Sequence, residues 1–313
     1  MKTKRTHLTT LPVLLALAAL LACENKEEDP DTFLVTVADT EFQAGSQIVY
    51  NTSQTQFSLS YAPGNGKKVG SLALTGDFWV ANTELTFRLY AEIRTWAVDH
   101  GYILPAGQPG SDMSFPSTHP VTRVCWYDAV VWCNALTEYF NAHNGDRPDY
   151  SFVYTVNGEP IRNSEIDNPE FDALIVDSQA TGFRIPTNAE YHKAAAWGGC
   201  PDNHASGASG NFDNETATRA VAWYRTNSDM ESHPVAQLLP NALGVYDMSG
   251  NVSEIMFDRL DKYDGKSNIR GGAWNSNPDA VTITSTHPTE EHTSSYSVGF
   301  RLVRTPGDEP LVQ

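Results

Sequence analysis

The sequence predicts a mixed α+β domain with few regular helices and many irregular loops, and three observations carry that prediction. Gly, Pro, Asn, Asp, Ser and Thr interrupt the chain so often that long elements have little room. Only three segments keep a helical spacing of apolar residues. Seven Trp, thirteen Tyr and thirteen Phe among 313 residues supply an aromatic core, since each large ring buries roughly 150–250 Å². No period of roughly 20 to 50 residues repeats, which argues against a solenoid or propeller.

The first helix is expected from Thr86 to Asp99, with Thr86 as cap, Phe87, Tyr90, Ala91, Ala97 and Val98 on one face, and Gly101 as its end. The second spans Tyr127 to Ala142, where Ala129, Cys133, Leu136 and Phe140 form the buried stripe and Gly145 follows. The third starts at Thr187-Asn188-Ala189-Glu190, a capping box, and stops at Gly198-Gly199. Strands are expected at Ser151–Val156, followed by the turn pair Asn157-Gly158, and at Ile269–Trp274 and Val298–Val303. Gly64 to Gly70 mimics a phosphate loop but lacks the GKS/T ending and a following helix, so a hairpin or loop is expected. Glu290-Glu291 reads as a solvated acidic pair.

At the N-terminus Lys2, Lys4 and Arg5 precede an apolar run that ends at Leu20-Leu21-Ala22-Cys23. The run is about a dozen residues against the roughly twenty needed to span a bilayer, so it reads as a cleaved export signal over residues 1–22. Leu-Leu-Ala-Cys also resembles a bacterial lipobox, which would make Cys23 the acylated first residue; an ordinary secretory signal with an incidental cysteine is the alternative. Residues 23–34 read as an acidic tether too polar to fold. Lysine followed by acids there is similar to the signal that sends Bacteroidetes lipoproteins to the outside of the outer membrane, and a generic solvated linker explains it equally well. The folded domain is expected over residues 35–304 and a flexible tail over 305–313.

The formal charge is -17 from 21 basic and 38 acidic residues. Removing three basic residues with the leader leaves 18 against 38, or -20. Such a surface repels nucleic acid and anionic headgroups. No nucleic-acid partner is expected, and membrane attachment falls to the lipid anchor. With Cys23 acylated, Cys125, Cys133 and Cys200 cannot all pair internally, and neither CxxC nor HExxH spacing occurs.

Four segments occur in one order: His119 to Ala129 (HPVTRVCWYDA), Gly182 to Tyr191 (GFRIPTNAEY), Pro240 to Glu254 (PNALGVYDMSGNVSE), and Arg270 to Trp274 (RGGAW) with Gly299 to Val303 (GFRLV). Together they resemble the formylglycine-generating-enzyme, or sulfatase-modifying factor, family. The resemblance implies an elaborated C-type-lectin-like fold. Physically, Arg184 and Arg301 in β-like stretches read as structural anchors that need carboxylate or carbonyl partners. Gly271-Gly272 points to a backbone geometry or close approach barred to a side chain, and Trp274 to core.

Family members bind calcium through a side chain, two main-chain carbonyls and a glutamate in the third segment. The matching positions are Asp247, Gly250, Val252 and Glu254, a mixture suited to a hard cation; a metal-free turn is the alternative reading. Ser253 and Ile255 stand where the family usually has tryptophans. The oxidase further needs two copper-binding cysteines after its Arg-Gly-Gly-Ser motif, and this chain has no cysteine after Cys200 and Ala273 in place of the serine. Neither formylglycine generation nor copper binding is therefore expected.

The expected function is a non-catalytic binding or assembly module of the cell envelope, lipid-anchored at the outer membrane and displayed at the surface, with a protein or glycan ligand. The competing reading is an oxidoreductase of the same family working through Cys125, Cys133 or Cys200. The segment Asn275 to Ser297, rich in Ser, Thr, His and Tyr, offers adaptable contact residues or, equally, a bland polar loop.

Overall fold

The computed structural model describes residues 36–37, 43–64, 68–69, 72–73, 76–110, 118–145, 148–259 and 265–307. The leader, Cys23, the acidic tether and residues 308–313 lie outside the described residues. Among those described, no helix is long and apolar enough to cross a membrane.

Local chemistry sets the helices. In α1 (Phe87–Asp99) the Thr86 hydroxyl accepts from the Leu89 amide, as its position predicts. The buried face is Leu89, Tyr90, Ile93 and Ala97, which keeps Tyr90 and Ala97 of the expected stripe but not Phe87, Ala91 or Val98, the last 44% exposed. Steps of three and four from Tyr90 lead through Ile93 to Ala97, and Val98 lies a further 100° or so around the helix. Helix α2 (Trp126–His143) starts one residue earlier than expected, because the Asp128 carboxylate accepts from the Cys125 amide at 2.9 Å and caps it. Thirteen of its residues are buried, the expected stripe among them, so this helix runs through the core.

In α3 (Asn188–Ala195) the Thr187 hydroxyl accepts from the Glu190 amide and the Glu190 carboxylate from the Thr187 amide, the reciprocal pair read from the sequence. It ends sooner than expected, at a tight turn in which Ala196 and Trp197 donate back to His192 and Ala194. Helix α4 (Glu215–Arg219), capped by Asn214, is too short to show a period and was not expected.

Ten strands build the two main sheets: β1 (Thr36–Val37), β2 (Gln47–Asn51), β3 (Gln56–Ala62), β4 (Phe78–Ala81), β5 (Phe183–Arg184), β6 (Ser253–Arg259), β7 (Lys266–Arg270), β8 (Thr286–Glu290), β9 (Val298–Gly299) and β10 (Val303–Arg304). The first sheet is antiparallel in the order β1-β2-β3-β4-β10-β5, and the second runs β8-β7-β6-β9 with β6 and β9 parallel. Short ladders complete the set. In one of them Lys68–Val69 pairs with Leu72–Ala73, so the phosphate-loop mimic contributes to a hairpin.

The expected strand Val298–Val303 is in fact divided between the sheets. Phe300, Arg301 and Leu302 cross between them, with the Phe300 carbonyl accepting from Leu85 and the Leu302 carbonyl from Ala81 at the end of β4. The strand expected to reach Trp274 stops at Arg270, because Gly271 and Gly272 turn to φ +84° and +69°. Asn157 (φ +54°) and Gly158 (φ +87°) make the expected turn, joining Tyr154–Val156 to Glu159–Pro160. Glu290 pairs with Lys266 at 2.9 Å, and Glu291 is buried, so that pair is not the solvated one expected. Thr305 donates to the Ser178 carbonyl at 3.2 Å, which ties down the first residue of the expected tail.

The main core lies among the first sheet, α1 and α2. Trp132 stacks on Tyr90 with centroids 5.8 Å apart, meets Phe300 edge-on and donates its indole N–H to the Tyr90 carbonyl. Tyr50, Phe57, Phe140 and Phe183 form a second aromatic knot beside it.

Candidate functional site

The four motif segments meet in space. Gly250 donates to the Gly271 carbonyl, Trp274 to that of Asn251, Arg123 to that of Ser295, and Tyr191 Oη to that of Met248 at 2.7 Å. Parallel pairing sets Glu254 opposite Gly299, and the crossover then brings Arg301 back onto Glu254.

At the centre Arg301 grips Glu254 with two hydrogen bonds of 2.6 Å, both side chains fully buried. It also donates to the carbonyls of Ala81 and Tyr246 at 3.1 Å. Glu84, which the sequence reading did not single out, lies in the same cluster and accepts from Asn251 Nδ2 at 2.7 Å and the Val252 amide at 2.9 Å. Burial pushes the Glu84 carboxyl well above the usual range, and the charges of Asp247 and Glu254 push it further. Burial also works against the Arg301 charge, but Glu254 outweighs it and holds the guanidinium protonated. A buried carboxylate 167 and 168 residues from its partners leaves no mark on sequence periodicity, so only the structure could find it.

The four candidate calcium ligands do not form an open set. Arg301 takes both Glu254 oxygens, and Asp247 Oδ2 accepts from the Ala236 amide at 2.7 Å. Asp247, Gly250 and Asn251 hold positive φ, so the loop is tightly wound around these bonds. A cation here would compete with an arginine already in place. As folded, the glutamate of the set is committed to Arg301.

The raised Glu84 carboxyl makes a stability prediction. An acid whose folded pKa is raised contributes fully below its unfolded value and loses that contribution as pH rises through the folded value. As pH rises above about 4, the ordinary carboxylate range, the stability difference between wild type and Glu84→Gln should therefore move in the variant's favour. Thermal unfolding of both as pH is raised checks it, and a difference that does not change with pH would contradict the placement.

One side of the cluster opens onto a loop face. Trp274 is buried, with its carbonyl accepting from Ser228 Oγ at 2.7 Å, so it is core as expected. Its ring lies 5.7 Å from that of Tyr296, which is 46% exposed, and the exposed Arg123 guanidinium sits 5.3 Å over Tyr296. Arg123 takes φ +58° while its amide is fixed to Ser295. Arg225 donates to Asn277 Oδ1 at 3.2 Å, and the exposed Met230 stands two residues beyond Ser228. Residues 275–297 therefore present one aromatic–cationic contact point fixed from beneath by Trp274. Arg123 lay within a quoted motif, yet nothing in its spacing marked it for this role.

All three described thiols are free. Burial and the Asp128 charge push Cys125 up to about 12, burial pushes Cys133 well above its ordinary value, and burial raises Cys200, whose Sγ lies 3.3 Å from the Ala205 carbonyl. Gly271 and Gly272 are close-packed as expected: a Cβ would come within 2.4 Å of Tyr191 Oη at the first and 2.2 Å of the Ala280 carbonyl oxygen at the second.

The family profile of the sulfatase-modifying factor enzyme 1-like domain matches residues 24–306. A curated relative, chaperone protein LppX of Paenibacillus barcinonensis, is 28% identical over 250 residues, covering 73% of this chain and 80% of its own. Among solved structures, Treponema denticola variable protein 1 superposes with a TM-score of 0.66 at 23% identity, over 83% of this chain and 99% of that one. CarF gives 0.65 at 27% identity, over 80% and 98%. PvdO from Pseudomonas aeruginosa gives 0.53 at 16% identity, over 88% and 99%. The fold is thus the elaborated C-type-lectin-like one that the motifs implied.

Proposed function

The chain belongs to the sulfatase-modifying factor enzyme 1-like domain family, and from that premise we propose that it is a non-catalytic binding module of the cell envelope, anchored through an acylated Cys23, that holds a protein partner on its loop face. The carrying observation is the state of its sulfur. No cysteine follows Cys200, and the three described thiols all have raised pKa values, whereas copper(I) and oxidative chemistry draw on thiolate. In the segment from Asn275 to His287, directly after Arg270-Gly271-Gly272-Ala273-Trp274 where the oxidase keeps its cysteines, this chain has none. A relative named as a chaperone supports a protein ligand over a small substrate.

Two measurements test the reading. A photo-crosslinking residue in place of Tyr296, in the full chain in its native envelope, should yield a discrete adduct that falls severalfold when Arg123→Ala is added; the same residue at the exposed Ile166 serves as control. Incubation with copper and a cysteine-containing sulfatase-motif peptide should leave the peptide mass unchanged. Loss of about 18 mass units, the signature of thiol-to-aldehyde conversion, would overturn the proposal.

A further inference from the structure

Away from the loop face lies a cleft of about 640 Å³. Its walls come from the C-terminal end of β6 (Phe257, Asp258), the strand-to-helix turn around β5 and α3 (Arg184, Ile185, Thr187, Glu190), the segment Val176–Gln179, and Gly76, Asp77, Thr305 and Pro306. The Tyr154 and Phe257 rings stack with centroids 5.5 Å apart, and Val176 is 39% exposed on its rim.

Three features of this lining are unlike an incidental gap. Three carboxylates, Asp77, Glu190 and Asp258, face one guanidinium, Arg184, so the lining carries an excess of negative charge. Glu190 is already matched, holding Arg184 Nη1 and Nη2 at 2.7 and 2.5 Å. Asp258 and Asp77 accept from uncharged donors: the Asn188 amide for the first, the Gly64 amide and Tyr61 Oη for the second. Secondly, Arg184 is 8% exposed and both its Nη atoms are held by Glu190, so the guanidinium in the wall is already matched and does not offset Asp77 or Asp258. Thirdly, Ile175–Val176 is the outer strand of the three-stranded ladder with Tyr154–Val156 and Glu159–Pro160, so a main chain could run along it.

We propose that this cleft binds a lysine or arginine side chain carried on an extended peptide. The cationic head lies between Asp258 and Asp77, with its stem against the Phe257 ring. Lys193 acts on Asp77 and Arg270 on Asp258 from outside the lining, but the lining itself carries more carboxylates than cations, which favours this occupant over a neutral saccharide. The inference deepens the proposed protein-binding role, but it names a separate site.

The test is calorimetry on the full chain purified in detergent, with capped pentapeptides carrying a central arginine, citrulline or glutamate between leucines, and with diacetylchitobiose. The arginine peptide should bind roughly tenfold tighter than its neutral citrulline isostere, and the glutamate peptide should not bind. Asp258→Asn keeps an oxygen for the Asn188 amide while removing the charge, and should abolish the preference for arginine over citrulline. Asp77→Asn, at an exposed position, should weaken it if the first variant is unstable. Arg123→Ala should leave peptide binding unchanged, so failure at the loop face and failure here are distinguishable. Equal affinity for the arginine and citrulline peptides, no effect of either aspartate variant, or binding of the saccharide without the peptides would overturn the proposal.

Discussion

Replacing Arg301 by alanine is expected to destabilise the protein by about 3–5 kcal/mol, enough that little folded chain should accumulate. The substitution removes the only cation in direct contact with Glu254 among the described residues and leaves Glu84, Asp247 and Glu254 together in a buried space. It also strips the Ala81 and Tyr246 carbonyls of a donor. Arg301→Lys should recover only part of the loss, because one ammonium cannot span both Glu254 oxygens and two carbonyls at once. Denaturant midpoints for the wild type and both variants decide the matter. A stable Arg301→Ala protein would mean that the cluster is wet and its carboxylates solvated.

Gly250→Ala is expected to be comparably severe. At φ +81° the new methyl would stand 2.2 Å from the Trp223 carbonyl oxygen and under 3 Å from two further backbone atoms of the same residue. The left-handed backbone alone costs an alanine about 1–2 kcal/mol, and the clash adds to it because a main chain cannot swing aside like a side-chain tip. Gly145→Ala separates the two contributions: φ is +62° there and the added methyl meets nothing. It should lose only about 1–2 kcal/mol. Similar melting temperatures for the two variants would show that packing at Gly250 is looser than the geometry requires.

How much was legible in the sequence follows the range of the forces involved. Capping is local, and so Thr86, the Thr187–Glu190 pair and the Asn157-Gly158 turn stand where the chain predicts them. The alternation Ile48, Tyr50 and then Leu59, Tyr61 was also there to be read as β2 and β3, but frequent Ser, Thr and Gln masked it. The run Val298–Val303 misled because a β-like composition cannot say that its ends join different sheets. The candidate calcium loop shows a related limit: the type and spacing of Asp247 and Glu254 suit a cation, and nothing local announces that Arg301 is bonded to Glu254. Likewise the cleft draws Asp77, Arg184, Phe257 and Asp258 from distant parts of the chain, so no motif could contain it.

The division of the C-terminal run also bears on when the chain can fold. β4 is hydrogen-bonded on one side by β3 and on the other by β10, which is made roughly 220 residues later. The second sheet likewise waits for β9 to close beside β6. A ribosome must therefore finish almost the entire polypeptide before either sheet gains its last strand, so both sheets close only at the end of synthesis.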